Sequence, residues 1–86
     1  AIHSLTYGMA KELGKFGIRV NAVAPGLIDT EIHAKAGDAS RVDRLMPTVP
    51  IGRIGSAEEV AKTVMWLLGD KSSYISGSVV PVSGGR

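Results

Sequence analysis

The stretch that decides the fold is GIRVNAVAPG, residues 17–26. Apolar side chains alternate from Ile18 to Ala24, and this alternation predicts a β-strand over 18–24. Val23 keeps the other face partly apolar, which is typical of a strand covered on both sides in a parallel sheet. Pro25 and Gly26 follow and predict a sharp turn where the strand ends.

A helix is predicted over residues 1–16, immediately before this strand. Its apolar positions are spaced three and four apart and form one face, made of Ile2, Leu5, Met9, Leu13 and Phe16. Gly14 and Gly17 end the helix, but no Ser, Thr, Asp or Asn precedes its first residue as a cap. A helix with a C-terminal signal and no N-terminal one predicts that these residues are the C-terminal segment of a longer chain.

A second helix is predicted over 57–68 and a second strand over 78–82. Ser56 and Glu59 have the spacing of a capping box, in which the hydroxyl and the carboxylate each accept a bond from an open backbone N–H. Pro81 cannot donate to a ladder and therefore indicates a strand at a sheet edge. The order helix, strand, long loop, helix, strand predicts an α/β fold built on a parallel sheet.

A long polar connection, residues 29–55, joins the first strand to the second helix. Short helices are expected around 31–36 and 40–46. A connection of this length inside a compact unit is commonly functional or disordered. Its charged cluster is expected to be a solvated face, with substrate contact as the alternative; the cluster consists of Arg41, Asp43 and Arg44.

The composition argues against several partners. The 86 residues carry 10 Lys and Arg against 8 Asp and Glu; the basic residues are scattered and aromatic residues are few, so no nucleic-acid partner is expected. The longest apolar run, residues 64–68, is far short of the roughly 18 residues that a membrane span needs, so no membrane partner is expected. No secretory leader is visible, and a cytoplasmic protein is expected.

Metal and disulfide chemistry have no support in the sequence. There is no cysteine, which excludes disulfides and thiolate metal sites. His3 and His33 have no ligand partner at metal spacing, so surface or packing roles are expected for both.

The candidate site is the turn after the first strand, residues 25–30. Ligands of parallel α/β sheets bind beyond the carboxyl ends of the strands, where this turn is expected to lie. Pro25 gives a sharp exit, Gly26 lets the backbone approach a flat ligand, and amides near Ile28 can bond a carboxamide or a phosphate. From the residues alone, an ordinary strand-to-loop turn remains the alternative.

The complete pattern resembles the short-chain dehydrogenase/reductase family over essentially the full chain. The matching segments follow the family's order: LTYGMAKEL at 5–13, the strand and turn at 17–26, PIGRIGSAEEVA at 50–61, YISG at 74–77 and the glycines at 84–85. The resemblance implies the C-terminal part of a Rossmann-type doubly wound parallel sheet. It also implies hydride transfer between the nicotinamide of NAD or NADP and a small alcohol or carbonyl substrate, in a homotetramer.

The resemblance assigns cofactor contacts to four residues. Pro25 and Gly26 would pack beside the nicotinamide, and Ile28 would offer backbone groups to its carboxamide. The hydroxyl of Thr30 would bond the carboxamide or the pyrophosphate. The segment 31–49 would be the substrate lid.

No catalytic residue is expected within the chain. Tyr7 and Lys11 have the family's Tyr-x-x-x-Lys spacing, yet, counted from residues 21–26, the family's pair falls just before Ala1. Tyr7 and Lys11 are therefore expected at the surface or in a subunit contact. Ser83 stands where many members have Asp before Gly-Gly, which weakens the assignment to a subgroup.

Two other interpretations stay open. One is a non-catalytic α/β interaction module that acts through partner subunits, supported by the length of 86 residues and by apolar faces that something must cover. The other is a different parallel α/β fold, such as a flavodoxin-like domain, which predicts no nicotinamide binding.

Overall fold

The computed structural model describes residues 1–29 and 39–86. The helices are α1 (Ile2–Leu13), α2 (Ala39–Leu45) and α3 (Ala57–Leu68). The strands are β1 (Ala22–Pro25), β2 (Ile28–Asp29), β3 (Gly55–Ser56) and β4 (Val79–Val82). Short 3-10 helices occupy Gly14–Phe16, Met46–Thr48 and Asp70–Ser72.

Both strand pairs among the described residues are parallel. β1 pairs with β4 in the register Ala22↔Val79 to Pro25↔Val82, and β2 pairs with β3 in the register Ile28↔Gly55. Parallel pairing requires a crossover between the strands, and α3 lies between β3 and β4 in the chain. The predicted α/β fold with parallel strands is therefore confirmed.

The first strand is shorter than the predicted 18–24, because β1 begins only at Ala22. The preceding residues bond to a turn instead of a strand. The Gly77 N–H donates to the Val20 carbonyl at 2.7 Å, and Asn21 binds the same turn from both ends of its amide. Its Nδ2 donates to the Ile75 carbonyl, and its Oδ1 accepts from the Ser78 N–H, each at 3.0 Å. Residues 18–21 have the alternating side chains of a strand, but their backbone does not pair with a neighbouring strand among the described residues, so β1 begins at Ala22.

Helix α1 and the 3-10 helix that follows it turn the predicted apolar face outward. Leu5 and Phe16 are 59% and 67% exposed, whereas Thr6 is only 3% exposed. The helix instead faces the turn at Gly77, where a Cβ would lie 3.4 Å from Tyr7 Cδ1 and 3.5 Å from Ala10 Cβ. Among the described residues, the apolar stripe is therefore left largely uncovered.

Helix α3 begins with the capping box that the sequence predicts. The Glu59 N–H donates to Ser56 Oγ at 3.1 Å, and the Ser56 N–H donates to Glu59 Oε1 at 3.0 Å. Leu67 is the buried residue of this helix, whereas Met65 and Trp66 are exposed and so do not belong to a core formed by the described residues.

The apolar core is small, and two of its residues, Leu27 and Ile28, belong to the segment that leaves β1. Its buried members are Leu27, Ile28, Val49 and Leu67. No helix among residues 1–29 and 39–86 is long and apolar enough to span a membrane. Nor do the described residues contain a group of three or more His, Cys, Asp or Glu placed to hold a metal ion.

Candidate functional site

The turn after β1 is held tightly against the end of β4. The Gly26 N–H donates to the Val82 carbonyl at 3.0 Å. A Cβ at Gly26 would lie 2.7 Å from Ser83 Cβ and 2.9 Å from Ser83 Cα, distances at which the backbone would have to move. Pro25 and Gly26 themselves are exposed. The turn therefore presents an open face while its inner side permits only glycine.

Ile28 combines a buried side chain with a backbone that faces away from its strand partner. The Gly55 N–H donates to the Leu27 carbonyl at 3.0 Å, and Ile28 lies opposite Gly55 in the parallel ladder. In a parallel pair with this register, the N–H and C=O of Ile28 point to the side away from β3. An adjacent donor and acceptor of this kind fit the C=O and NH₂ of a carboxamide.

The C-terminal tail, residues 83–86, contacts the segment that follows α2. Gly84 has φ +63°, and a Cβ there would lie 2.6 Å from Ile51 Cγ2 and 2.9 Å from Val49 Cγ1. The Ile51 N–H donates to the Gly84 carbonyl at 3.0 Å, and Arg86 Nε donates to Thr48 Oγ1 at 2.8 Å. The tail therefore anchors the residues that follow α2, of which Thr48 and Val49 belong to the predicted lid.

A cavity of about 80 Å³ separates the β1 turn, β3 and the tail. Its lining includes Leu27, Ile28, Arg53, Glu59 and Ser83. Ligand pockets are usually about 300 Å³ or larger, so this space is a packing gap and not a binding cavity.

A compact ionic cluster borders that gap. Arg53 Nη1 and Nη2 donate to the two carboxylate oxygens of Glu59 at 2.8 and 2.9 Å, which is a bidentate pair. The hydrogen bonds from Arg53, followed by the backbone bond from Ser56, lower the pKa of Glu59 from its ordinary 4.5 to about 2. The capping-box carboxylate therefore remains ionised at neutral pH.

The predicted site residues are only partly brought together by the described structure. Pro25, Gly26 and Ile28 lie within one turn at the carboxyl end of β1. Thr30 lies outside the described residues, as do His33 and the predicted short helix at 31–36. Tyr7 is largely exposed, with Lys11 Nζ 5.3 Å from its ring centroid.

Arg19 is a structural residue to which the sequence analysis assigned no role. Nη1 donates to the Ser72 and Ile75 carbonyls and to Ser72 Oγ, and Nη2 donates to the Leu67 and Gly69 carbonyls, all within 2.9–3.3 Å. These carbonyls lie at the end of α3 and in the turn after it, where a cation also complements the helix dipole. The available signal was a single charged residue, Arg19, inside the predicted strand 18–24.

A parallel α/β unit with an open turn at the carboxyl end of its strand is the arrangement found in Rossmann-type proteins. Residues 1–86 match the sequence model of the family described as enoyl-(acyl carrier protein) reductase. The chain belongs to this family, within the short-chain dehydrogenases/reductases, as its motifs predicted.

Similar proteins cover every part of the chain but are much longer than it is. The uncharacterized oxidoreductase YgfF of Escherichia coli is 50% identical over 86 residues, which are 100% of this chain and 35% of that protein. The 3-oxoacyl-[acyl-carrier-protein] reductase FabG of Pseudomonas aeruginosa is 44% identical over 84 residues, 98% of this chain and 34% of that protein. The chain thus spans about a third of the length of these relatives.

A solved structure confirms the Rossmann-type arrangement. YwfH, an NADPH-dependent reductase involved in bacilysin biosynthesis, superposes with a TM-score of 0.85 at 27% identity. The match covers 96% of this chain and 35% of that one.

Proposed function

We propose that this chain acts within an NAD(P)-dependent oxidoreductase of the short-chain type, where it supplies the nicotinamide side of the active site. The observation that carries the proposal is the backbone of Ile28, whose N–H and C=O face away from β3 at the carboxyl end of β1. This is the edge at which parallel α/β sheets bind their ligands.

Each residue of the turn would contact a different part of the cofactor. Pro25 and Gly26 are exposed, and the nicotinamide ring would pack beside them. Ile28 would bind the carboxamide through its backbone and so fix which face of the ring meets the substrate. Thr30 would bond the carboxamide or the pyrophosphate. When bound, the nicotinamide supplies or accepts the hydride.

The remaining catalytic groups would come from outside residues 1–86. The family's tyrosine, lysine and serine have no counterpart in this chain, and a tyrosine general acid would exchange the proton of the substrate oxygen. This chain would bind and orient the cofactor, and its segment 31–49 would cover the substrate.

The expected substrate is a small alcohol or carbonyl compound. The name of the Pseudomonas relative specifies a 3-oxoacyl group, and that of YwfH specifies NADPH. The first name supports the reduction of a carbonyl group, and the second makes NADPH the first cofactor to test beside NADH.

A homotetramer is the proposed assembly, and its support is the outward apolar face of α1. Ile2 and Leu5 on that face are largely exposed to solvent among the described residues, which is costly for a free surface. The same exposure favours the second candidate, a non-catalytic module that acts through partner subunits. The cytoplasmic location stays a prediction from the sequence.

The test is cofactor binding by the complete enzyme, the polypeptide that joins these residues to the rest of the family's fold. Titrations with NADPH and NADH are compared with ADP-ribose, which lacks the nicotinamide. We expect a reduced dinucleotide to bind more tightly than ADP-ribose and to be oxidised when a small ketone is added. Absence of binding by both dinucleotides would contradict the oxidoreductase and leave the interaction module.

A further inference from the structure

The carboxylate of Glu59 connects Arg53 and Ser56, two residues of the short segment that leads into α3. It accepts both guanidinium bonds from Arg53, and its Oε1 also accepts from the N–H and the hydroxyl of Ser56. Arg53 Nη1 further donates to the carbonyl of Ile54 at 3.2 Å. The two residues between Arg53 and Ser56 are thus bracketed at both ends by one ionic cluster.

One of the bracketed residues, Gly55, is the first residue of β3, the strand that pairs with the candidate cofactor segment at Ile28. Gly55 lies opposite Ile28, and its N–H donates to the Leu27 carbonyl at 3.0 Å. The packing at this point is close, since a Cβ at Gly55 would lie 2.9 Å from Ile28 Cδ1. The same Cβ would lie 4.0 Å from Glu59 Oε1, so the carboxylate and Ile28 flank one glycine.

A strand of two residues makes too few ladder bonds to fix its own position. β3 spans only Gly55–Ser56, whereas a mean strand has about five or six residues. What fixes it must come from beside it, and among the described residues the Arg53–Glu59 pair supplies charge-assisted, bidentate bonds there.

The neighbouring carboxylate has none of these contacts. Glu58 is equally part of the first turn of α3, but it pairs with Lys62 at 3.4 Å on the exposed face of the helix. The chain therefore offers a matched control: two adjacent glutamates, of which one touches the β3 bracket.

We infer that Arg53 and Glu59 are positioning residues for cofactor binding: their ion pair holds β3, and β3 sets the place of the Ile28 backbone. The inference rests on the proposed function, because it assigns the pair to the same nicotinamide site. The hydrogen bond from the Gly55 N–H to the Leu27 carbonyl is the link between the ion pair and the Ile28 backbone. The pair touches no cofactor atom and acts only through this link.

The variants separate the ion pair from the helix cap. Glu59→Gln keeps the length of the side chain and the capping box, since Gln serves at this position as Glu does. It removes the charge that holds Arg53. Arg53→Gln removes the same pair from the other end, and Arg53→Lys restores the charge without the bidentate fork. Glu58→Gln is the control.

Two measurements on the complete enzyme test the inference. The first is amide hydrogen exchange at Gly55 and at Asp29, whose N–H donates to the Gly55 carbonyl in this parallel register. The second is the dissociation constant of NADPH together with kcat and KM. In Glu59→Gln and Arg53→Gln we expect both exchange rates and the NADPH dissociation constant to rise about two- to fivefold, with kcat less affected, as suits a partly exposed ion pair. Arg53→Lys is expected between wild type and Arg53→Gln, and Glu58→Gln at wild type.

The outcomes distinguish this inference from the proposed function. Unchanged exchange at Gly55 and Asp29 in both pair variants, with a wild-type enzyme that binds NADPH, would overturn the positioning role alone. Faster exchange with an unchanged NADPH dissociation constant would overturn it as well, since the bracket would then serve stability only. A wild-type enzyme that binds neither NADPH nor NADH would overturn the proposed function and, with it, this inference.

Discussion

Gly26 approaches Ser83 so closely that a side chain on the glycine would place its Cβ 2.7 Å from the Cβ of Ser83. The contact joins the carboxyl ends of β1 and β4, where the Gly26 N–H also donates to the Val82 carbonyl. The small size of Gly26, which first suggested room for a ligand, is thus needed for packing against the C-terminal tail.

Gly26→Ala is therefore expected to destabilise the protein. Overpacking of a close contact costs about 1–3 kcal/mol in the free energy of unfolding, because Ser83 Cα at 2.9 Å is backbone and cannot rotate away. Denaturant unfolding measures the change. Gly8→Ala is the control, since nothing lies within 4 Å of a Cβ there and alanine favours a helix. Equal stability of the two variants would contradict the contact.

Arg19 is expected to be a large contributor to stability. Arg19→Met leaves the carbonyls at the end of α3 without their donor and should lower the free energy of unfolding by about 2–3 kcal/mol. Arg19→Lys should recover only part, because an ammonium lacks the planar fork. Lys62→Met, which breaks an exposed pair, should change stability by about 0.5 kcal/mol or less. A loss no larger for Arg19 than for Lys62 would refute this role.

The Arg53–Glu59 pair predicts a specific acid dependence of stability. The pKa of Glu59 is lowered in the folded protein, from 4.5 to about 2, so the pair contributes its full stabilisation above pH 4.5. That contribution is lost as the pH falls from about 4.5 toward 2. The melting temperature of the wild type should therefore exceed that of Glu59→Gln at pH 6, and the difference should shrink across this range. A difference independent of pH would argue against the ion pair as its source.

Thr30 stays a prediction from the sequence, because it lies outside the described residues. If its hydroxyl bonds the cofactor, Thr30→Val in the complete enzyme should weaken cofactor binding by about 1–3 kcal/mol, roughly 5- to 150-fold. If it caps a helix instead, the melting temperature should fall while the dissociation constants of NADPH and NADH stay the same. Both quantities are measured on the same preparations.

The parts of the fold that could be predicted are those encoded locally. Ser56 and Glu59 carry the start of α3 in their own spacing, and the structure has the same capping box. The strand start could not be predicted, because it depends on where the partners of Asn21 lie, and these are 54 and 57 residues further along the chain.

At the candidate site too, features set by neighbouring residues could be predicted, and contacts between elements could not. Pro25 and Gly26 mark the end of a strand by residue type alone, so the location of the turn could be predicted. The ion pair between Arg53 and Glu59 and its link to Ile28 could not, because both residues also fit an ordinary exposed helix start. Periodicity likewise predicted the apolar α1 stripe but not what covers it, and among the described residues that face is largely exposed.

The register of β1 against β4 has a consequence for synthesis on the ribosome. Ala22 to Pro25 find their strand partners only at Val79 to Val82. While the ribosome is still translating the codons between them, the turn at Gly26 has no Val82 carbonyl to bind and no Ser83 to pack against. The candidate cofactor surface therefore forms late, after residues 79–84 have left the exit tunnel, and a stop codon before Val79 would release a polypeptide in which it never assembles.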